Sequence, residues 1–524
     1  MTTMKQISIL DSTLRDGAQG EQISFSLQDK INILRILDAF GVDYIEAGTP
    51  ASNPKDLEFF AVASKIPLKN TRLCAFGSTR RRGRTIDQDE YVQALLDAGT
   101  PAVSIVGKAS ETHARHVLQA TIDENLSMIS DTVRFFKSKG KQVIFDAEHF
   151  FDGFLESPDF ALASISAAFE SGADIVCLCD TNGGRTPTEI IGTVRKTIAS
   201  FPSMRIGIHC HDDSGCAVAN SMVAVEAGVS HVQGTFLGCG ERCGNADLSV
   251  LIPNLLLKKG CSCKITNLEQ LCSTARSIAE IANIAVPGNR PYIGNSAFAH
   301  KGGMHIDATL KFRQAFEHIS PDAVGNHRRF LLSEMAGRST LLEKIGHISP
   351  KLTKDSPELA AIVEKLKELE FEGYQFEAAE ASLELLARRV LGLHKPHFSL
   401  VQYKTIDEYP APNGKEQASA MIEVGVGGKI EVTAALGNGP VNALDQALRN
   451  ALKVFYPQLD KVHLTDYKVR VLNTESATAA KVRVLIETSD GKRTWNTVGV
   501  STDIIEASWL ALADSIEYQL ISVE

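Results

Sequence analysis

Ile7-Ser8-Ile9-Leu10-Asp11-Ser12-Thr13-Leu14-Arg15-Asp16-Gly17 carries the first decision about the fold. A short β-rich run, Ile7–Asp11, closes on polar residues and a glycine, as a buried strand entering a loop does. Downstream, Ser26 can cap a helix in which Ile31, Leu34 and Leu37 share one face, and Gly41 can end it. A second β-rich run, Asp43–Ala47, follows at once. The alternation recurs at Thr71–Phe76, Ala102–Val106, Val143–Ala147, Ile175–Asp180, Ile206–His211 and His231–Phe236. Gly41, Gly172 and Gly228 each precede a strand by a few residues, where a helix-to-strand turn belongs. Eight parallel strands with intervening helices predict an α/β fold, a (β/α)₈ TIM barrel over residues 1–276. An open doubly wound sheet is the structural competitor, but no G-x-G-x-x-G turn follows the first strand.

The alternation stops after about residue 276. Residues 277–410 read as helical linker subdomains. Their first part, 277–345, is loop-rich, with Gly288, Pro291, Gly294, Gly302, Gly303 and Gly325. Residues 357–372 then form a helical stripe of Leu359, Ile362, Leu366 and Leu369. Gly373 interrupts it, and Ala379, Leu383, Leu386 and Val390 resume the period. Lys395–Gln417, with Pro396, Pro410 and Pro412, reads as a linker. Residues 411–524 predict a C-terminal α+β domain with an internal repeat. Strands Ala418–Val426 and Ile430–Ala435 lead through Gly437-Asn438-Gly439-Pro440 to a helix from Val441. Strands Lys468–Leu472 and Ala480–Thr488 lead through Val498–Gly499 and Ser501-Thr502-Asp503 to a helix from Ile504.

Bulk properties exclude several classes. The 524 residues are 44% hydrophobic and 22% charged, an ordinary balance for a globular protein of two or three domains. The formal charge of −9 argues against nucleic acid as a main partner. Arg80-Arg81-Arg82-Gly83-Arg84 is the exception: either a solvated loop or an anion site for a nucleotide-like cofactor. No apolar run approaches the ~18 residues that a membrane span needs, so no membrane is expected. No signal-peptide core precedes the first strand, and a cytoplasmic location is the expectation. Ten cysteines lack zinc-site C-x₂-C spacing and read as reduced thiols; Cys177 and Cys179 would share one side of a strand.

Three segments carry chemistry. Arg15-Asp16, at the C-terminal end of the first strand, supplies a cation for a developing oxyanion and a carboxylate for a metal. His209-Cys210-His211 ends the seventh strand, and histidines two apart on a strand project from one side, so both can reach one ion. With Asp16 from a neighbouring strand they form a His₂Asp set, whose open positions suit Lewis-acid catalysis on a carbonyl. The divalent ion could be manganese, magnesium or zinc. Gly238-Cys239-Gly240-Glu241-Arg242-Cys243-Gly244-Asn245-Ala246 follows the eighth strand as a tight loop meeting a ligand, with Asn245 placed as a further oxygen donor.

These segments resemble the 2-isopropylmalate, homocitrate and citramalate synthase group, within the larger family of metal-dependent barrels that includes hydroxymethylglutaryl-CoA lyase. The match extends through Gly48–Asp56, His211–Ala219, Gln233–Leu251, Gly302–Ala308 and Gly373–Glu380, in the manner of that group's bacterial citramalate branch, and the C-terminal repeat is similar to its allosteric domain. The resemblance implies an acyltransferase that condenses acetyl-CoA with a small 2-oxo acid, pyruvate in the citramalate branch. It implies Asp16, His209, His211 and Asn245 as metal ligands, and Arg15 as the stabiliser of oxygen charge. Glu148 would hold the 2-oxo acid or move a proton, and Thr181 would bind its carboxylate. His305 and Asp307 match an H-x-D that reaches into an active site, often the partner subunit's, so a homodimer is expected, with isoleucine as its effector. His327-Arg328-Arg329-Phe330 stands where some relatives place a tyrosine, a departure that touches the proton-transfer roles. The competitors are 2-isopropylmalate or homocitrate synthesis, a carbon–carbon lyase on the same barrel, and a non-catalytic sensor.

Overall fold

The computed structural model describes residues 5–331, 338–410, 418–472, 480–491 and 493–523. Strands β1 (Ser8–Asp11), β2 (Tyr44–Glu46), β3 (Arg72–Ser78), β4 (Ala102–Lys108), β5 (Gln142–Glu148), β6 (Ile175–Asp180), β7 (Ile206–Cys210) and β8 (His231–Gly234) pair in chain order. β8 returns to β1 in parallel, with Ile9 opposite Val232, and closes the barrel. The predicted TIM barrel is therefore present, each strand boundary within two residues of the expectation. Parallel neighbours need long crossovers, and helices provide them. Helix α1 (Leu27–Phe40) starts as the sequence suggests: the Ser26 hydroxyl accepts from the Asp29 N–H, and Asp29 reaches back to the Ser26 N–H. It stops at Gly41, whose φ of 95° a side chain would strain.

Side-chain alternation along the strands builds the site. Leu10, Tyr44, Cys74, Ala102, Ile144 and Ile175 form an apolar cluster separate from the main core of strand and helix side chains. They come from six consecutive barrel strands, so they plug the barrel interior from below. A residue two positions on faces the same side. Stepping from this plug toward the C-terminal ends gives Glu46, Phe76, Ser104, Asp146 and Cys177, then Val106, Glu148 and Cys179. Polar chemistry begins one layer above an apolar floor.

Two compact units emerge: Met1–Phe298 with His318–Arg328, and Ala299–Glu317 with Arg329–Glu524. In the first, helix Leu271–Ile281 packs against α1 and belongs with the barrel. The second holds helices Gly303–Lys311, Arg338–Ile345, Pro357–Glu372 and Glu380–Val390. The stretch expected to be loop-rich thus contains two of these helices, one of them hidden in sequence by Gly302 at its N-cap and Gly303 at its first position.

The expected linker at 395–417 is corrected: Ser399–Asp407 is a strand, antiparallel to Ala418–Val426. Its side chains are mostly exposed, so it lacks the apolar alternation by which strands announce themselves. Residues 411–417, including Pro412 and Gln417, lie outside the described residues. Each half of the repeat is consequently three antiparallel strands and a helix. Ser399–Asp407, Ala418–Val426 and Lys429–Gly437 precede helix Pro440–Lys453; His463–Val471, Val482–Ser489 and Thr494–Ser501 precede helix Ile504–Val523. Leu444, Leu448 and Leu452 of one helix share a core with Leu512, Ile516 and Leu520 of the other, so neither half buries its apolar face alone. No helix among the described residues is long and apolar enough to cross a membrane.

Candidate active site

Asp16, His209 and His211 converge where β1 and β7 end. His209 Nε2 lies 3.4 Å from His211 Nε2 and 3.5 Å from Asp16 Oδ2, and His211 Nε2 lies 3.9 Å from the same oxygen. A point about 2.1 Å from all three corners exists, which is a normal bond length for zinc or magnesium. Burial lowers the pKa of both imidazoles, helped for His211 by its His209 neighbour, which takes it to about 4. Both are therefore neutral at pH 7, the form that binds metals. Burial would raise Asp16, yet Arg15 and the two imidazoles hold it at about 2, so it stays ionised. His209 Nδ1 sits 3.0 Å from Gln233 Oε1. That oxygen can only accept, so Nδ1 carries the hydrogen and the Nε2 lone pair faces Asp16 and His211. Asn245 bridges to His211 across an isolated β-pair and donates its amide to the Cys239 carbonyl at 3.0 Å. Its Oδ1, although buried, has no hydrogen-bond partner among the described residues. A buried orphan oxygen beside a His₂Asp triangle fits a fourth ligand. This donor set suits a divalent cation, and its neutral imidazoles and ionised carboxylate need no further deprotonation.

Arg15 is fixed by three groups. Its Nε donates to Glu46 Oε2 at 2.6 Å, its NH1 donates to Asp16 Oδ2 at 3.1 Å, and its guanidinium lies 3.9 Å from the centre of the Phe76 ring. Burial alone would lower its pKa, but Glu46 and Asp16 more than offset that and keep it charged. Glu46 is fully buried and also accepts from Ser12 at 2.6 Å. Sequence reading missed Glu46; the signal was its place two residues beyond Tyr44 on an inward-facing strand.

A cavity of about 280 Å³ opens over this cluster, lined among others by Arg15, Asp16, Glu148, Thr181, His209 and His211. Six of the expected site residues therefore meet in one place. Phe76 and Val106 supply apolar wall, and Arg242 and Glu241 close part of the mouth. Glu148 is ion-paired with Lys108, another inward residue missed in sequence. The Thr181 hydroxyl accepts the His149 N–H at 2.8 Å, so its own hydrogen is free to donate. Arg242 donates to the Thr181 carbonyl at 2.7 Å and pairs with Asp213 at 2.8 Å, which ties the glycine-rich loop over the cavity to β6 and β7. A second cavity, about 370 Å³, shares Arg15 and Gln19 with the first and is lined by Thr49, Asn53, Lys55 and Lys30.

His305 and Asp307 lie in the second compact unit, on helix Gly303–Lys311. The His305 ring stacks on Phe316 with centroids 4.0 Å apart, and Asp307 pairs with Lys311 at 2.7 Å. The arginine run is largely structural: Arg80 pairs with Asp131 at 2.9 Å, Arg81 with Asp89 at 3.3 Å, and Arg82 donates to the Gln119 carbonyl. All ten cysteines are free thiols.

A parallel barrel carrying a His₂Asp triangle and a guarded arginine at its C-terminal rim defines a metal-site barrel of the HMGL-like class, and residues 6–278 match the HMGL-like family model. Residues 292–373 match the homocitrate synthase post-HMGL domain-like model, and residues 377–520 the LeuA allosteric (dimerisation) domain. The chain is 50% identical to an (R)-citramalate synthase of Aquifex aeolicus over 521 residues, covering 99% of both chains. It is 46% identical to one from Geobacter sulfurreducens, covering 99% of this chain and 98% of that one. For one from Sulfolobus acidocaldarius the figure is 44%, covering 98% and 97%. The chain belongs to the citramalate synthase family, a family of acyltransferases.

Proposed function

We propose that the chain condenses acetyl-CoA with pyruvate and water to give citramalate and CoA. The observation that carries this reading is the Asp16–His209–His211 triangle with Arg15 3.1 Å from Asp16, set in a small cavity at the barrel rim. A divalent cation held by Asp16, His209, His211 and Asn245 would supply Lewis-acid polarisation of the 2-oxo acid's carbonyl. Arg15 then balances the charge that develops on the keto oxygen, and Glu46 and Phe76 keep it aimed there. The free hydroxyl hydrogen of Thr181 donates to the acceptor's carboxylate. Glu148, with Lys108 beside it, or His305 and Asp307 takes the weakly acidic methyl proton of the acetyl group. The enolate carbon forms its bond to the keto carbon, whose π pair moves onto the oxygen beside Arg15 and takes a proton to become the hydroxyl. Water then cleaves the thioester to a carboxylate and releases CoA as a thiol. The second cavity, which shares Arg15 and Gln19 with the first, is the proposed seat of the thioester's long arm, with Lys55 among its lining.

Pyruvate is the proposed acceptor because relatives 44–50% identical over nearly the full chain are (R)-citramalate synthases. An added methylene shifts preference by only about 1–3 kcal/mol, so 2-oxobutyrate should be a weak substrate. Thiol release from acetyl-CoA with pyruvate, 2-oxobutyrate and 2-oxoisovalerate tests this. A higher kcat/KM for 2-oxoisovalerate would make the enzyme a 2-isopropylmalate synthase instead.

The same reading makes the protein a cytoplasmic homodimer, the location supported by its ten free thiols. His305 and Asp307 would serve the partner's barrel, so an inactive His305→Ala chain mixed with an inactive His211→Ala chain should regain partial activity. Isoleucine is the proposed effector of the LeuA-type domain, as the distal product that citramalate would feed. Of the two helix starts, the one at Ile504 already holds an acid: Asp503 accepts the Ile505 N–H at 2.7 Å. The start at Pro440, after extended Gly439, is the better seat for an α-carboxylate. Isoleucine inhibition of the parent, weakened in Gly439→Asp, is the expected result; indifference to isoleucine, leucine and valine would leave the domain as an assembly device.

A further inference from the structure

We infer that Gln233 and Asp146 are positioning residues that select the metal-binding tautomer of His209. The inference rests on reading Asp16, His209 and His211 as a metal site. Gln233 and Asp146 face the barrel interior from β8 and β5, 1% and 4% exposed. Gln233 Nε2 donates to Asp146 Oδ1 at 2.9 Å, and Ser104 Oγ donates to Asp146 Oδ2 at 2.7 Å. The Gln233 amide turns its nitrogen toward Asp146 and its oxygen toward His209, the orientation that an ionised Asp146, accepting on both oxygens, enforces. That oxygen takes the Nδ1 hydrogen of His209 and leaves the Nε2 lone pair facing Asp16 and His211. A flipped amide would present two hydrogens to Nδ1, drive the ring hydrogen onto Nε2 and close the site to a cation. Gln233 itself is 1% exposed, so these two partners are what satisfy its amide. His211 contrasts, because its Nδ1 has no hydrogen-bond partner among the described residues. Tautomer control therefore falls on His209, through a chain that starts at Ser104.

Partners of this kind are worth about 10–100-fold in metal affinity. The test titrates Zn²⁺ into metal-stripped full-length chain in competition with a chromophoric chelator, alongside circular dichroism. Gln233→Leu and Asp146→Leu should each weaken zinc binding by about 10–100-fold while remaining folded. The double variant Asp146→Asn/Gln233→Glu should instead stay near the parent: one oxygen of the carboxylate introduced on β8 takes the His209 hydrogen, and the amide introduced on β5 donates to the other. A merely structural pair would not survive this reversal of polarity. Should one leucine variant fail to fold, the other and the double variant carry the test. Parent-like affinity in a folded leucine variant, or a double variant no better than the leucine variants, overturns the inference. A parent chain that binds no zinc, or a His211→Ala chain that binds it like the parent, would instead overturn the metal-site reading and this inference with it.

Discussion

His211→Ala and His209→Ala should damage the enzyme equally as a catalyst and unequally as a fold. Each removes one of the proposed ligands. Binding energies of roughly 10–16 kcal/mol for four-ligand zinc sites correspond to roughly 2.5–4 kcal/mol per ligand, so metal affinity should fall about 10²–10³-fold in both. The structures of the two sites separate the stability effects. His211 lines the open cavity, and its Nδ1 has no partner to lose among the described residues. Its truncation removes only the long contacts to His209 Nε2 and Asp16, at a cavity wall where water can replace them, so the melting temperature of the metal-free chain should hardly change. His209 holds the oxygen of buried Gln233 at 3.0 Å. Truncating it strands that oxygen, a cost of about 1–3 kcal/mol and a drop of roughly 2–10 °C in melting temperature. Chelator competition, thiol release and thermal melts of metal-stripped proteins provide the three readouts. A His211→Ala chain that kept parent-like zinc affinity would refute the ligand assignment. Equal melting temperatures for the two variants would refute the hydrogen-bond argument.

Lys30, 4% exposed, donates to the Ala47 carbonyl at 2.9 Å and pairs with Asp56, which in turn accepts from the Thr49 N–H at 2.8 Å. Lys30→Met strands that carboxylate and should cost about 3–5 kcal/mol in urea unfolding; a change under about 1 kcal/mol would show that the pair is idle. Burial lifts the Asp11 pKa to about 7, against ~3.9 when unfolded. Its folded form holds the proton longer, so its contribution is full below about pH 4 and is lost as pH rises through about 7. Asp11→Asn should therefore shrink the stability difference between pH 5 and pH 8, and an unchanged slope would contradict the shift. Val106→Ala, which widens the apolar wall, should raise kcat/KM for 2-oxobutyrate relative to pyruvate by about 10-fold, a ratio read from thiol release.

The barrel and its His₂Asp set were legible because each rests on a local signal. Strand residues in a barrel buried on both faces must be apolar, so β4 to β8 stand out from the amphipathic helices between them. His209 and His211 are two apart, and a strand's period alone puts them on one face. Glu46, Lys108, Asp146 and Gln233 form no pair of ligand-type residues with a near neighbour as His209 and His211 do, and the meaning of each lies in which other strand it faces. Gln233 and Asp146 are 87 residues apart in sequence and meet only because β5 and β8 aim residues of the same parity at one axis. The strand Ser399–Asp407 was hidden for the opposite reason, since an edge strand with mostly exposed side chains has no apolar rhythm to read.

The separation of these two kinds of residue also says where function can be retuned. Val106 touches the cavity from a strand end two layers above Ala102, so its size can change without disturbing the apolar floor, whereas Phe76 sits directly above Cys74 of that floor and also holds Arg15. Asp146 has no such freedom. It lies between that floor and the triangle, holds Ser104 and Gln233 together, and so links the packing of the barrel interior to the protonation of His209. Substrate choice should therefore shift with single substitutions at the wall, whereas metal affinity should shift only when partners in the layer beneath change. Variants selected for a larger 2-oxo acid should carry changes at Val106 and keep zinc affinity within about threefold of the parent, well inside the ~10–100-fold that partners of the ligands control. Finding instead that such variants recruit substitutions at Asp146 or Gln233 would show that pocket and metal layer are not independent.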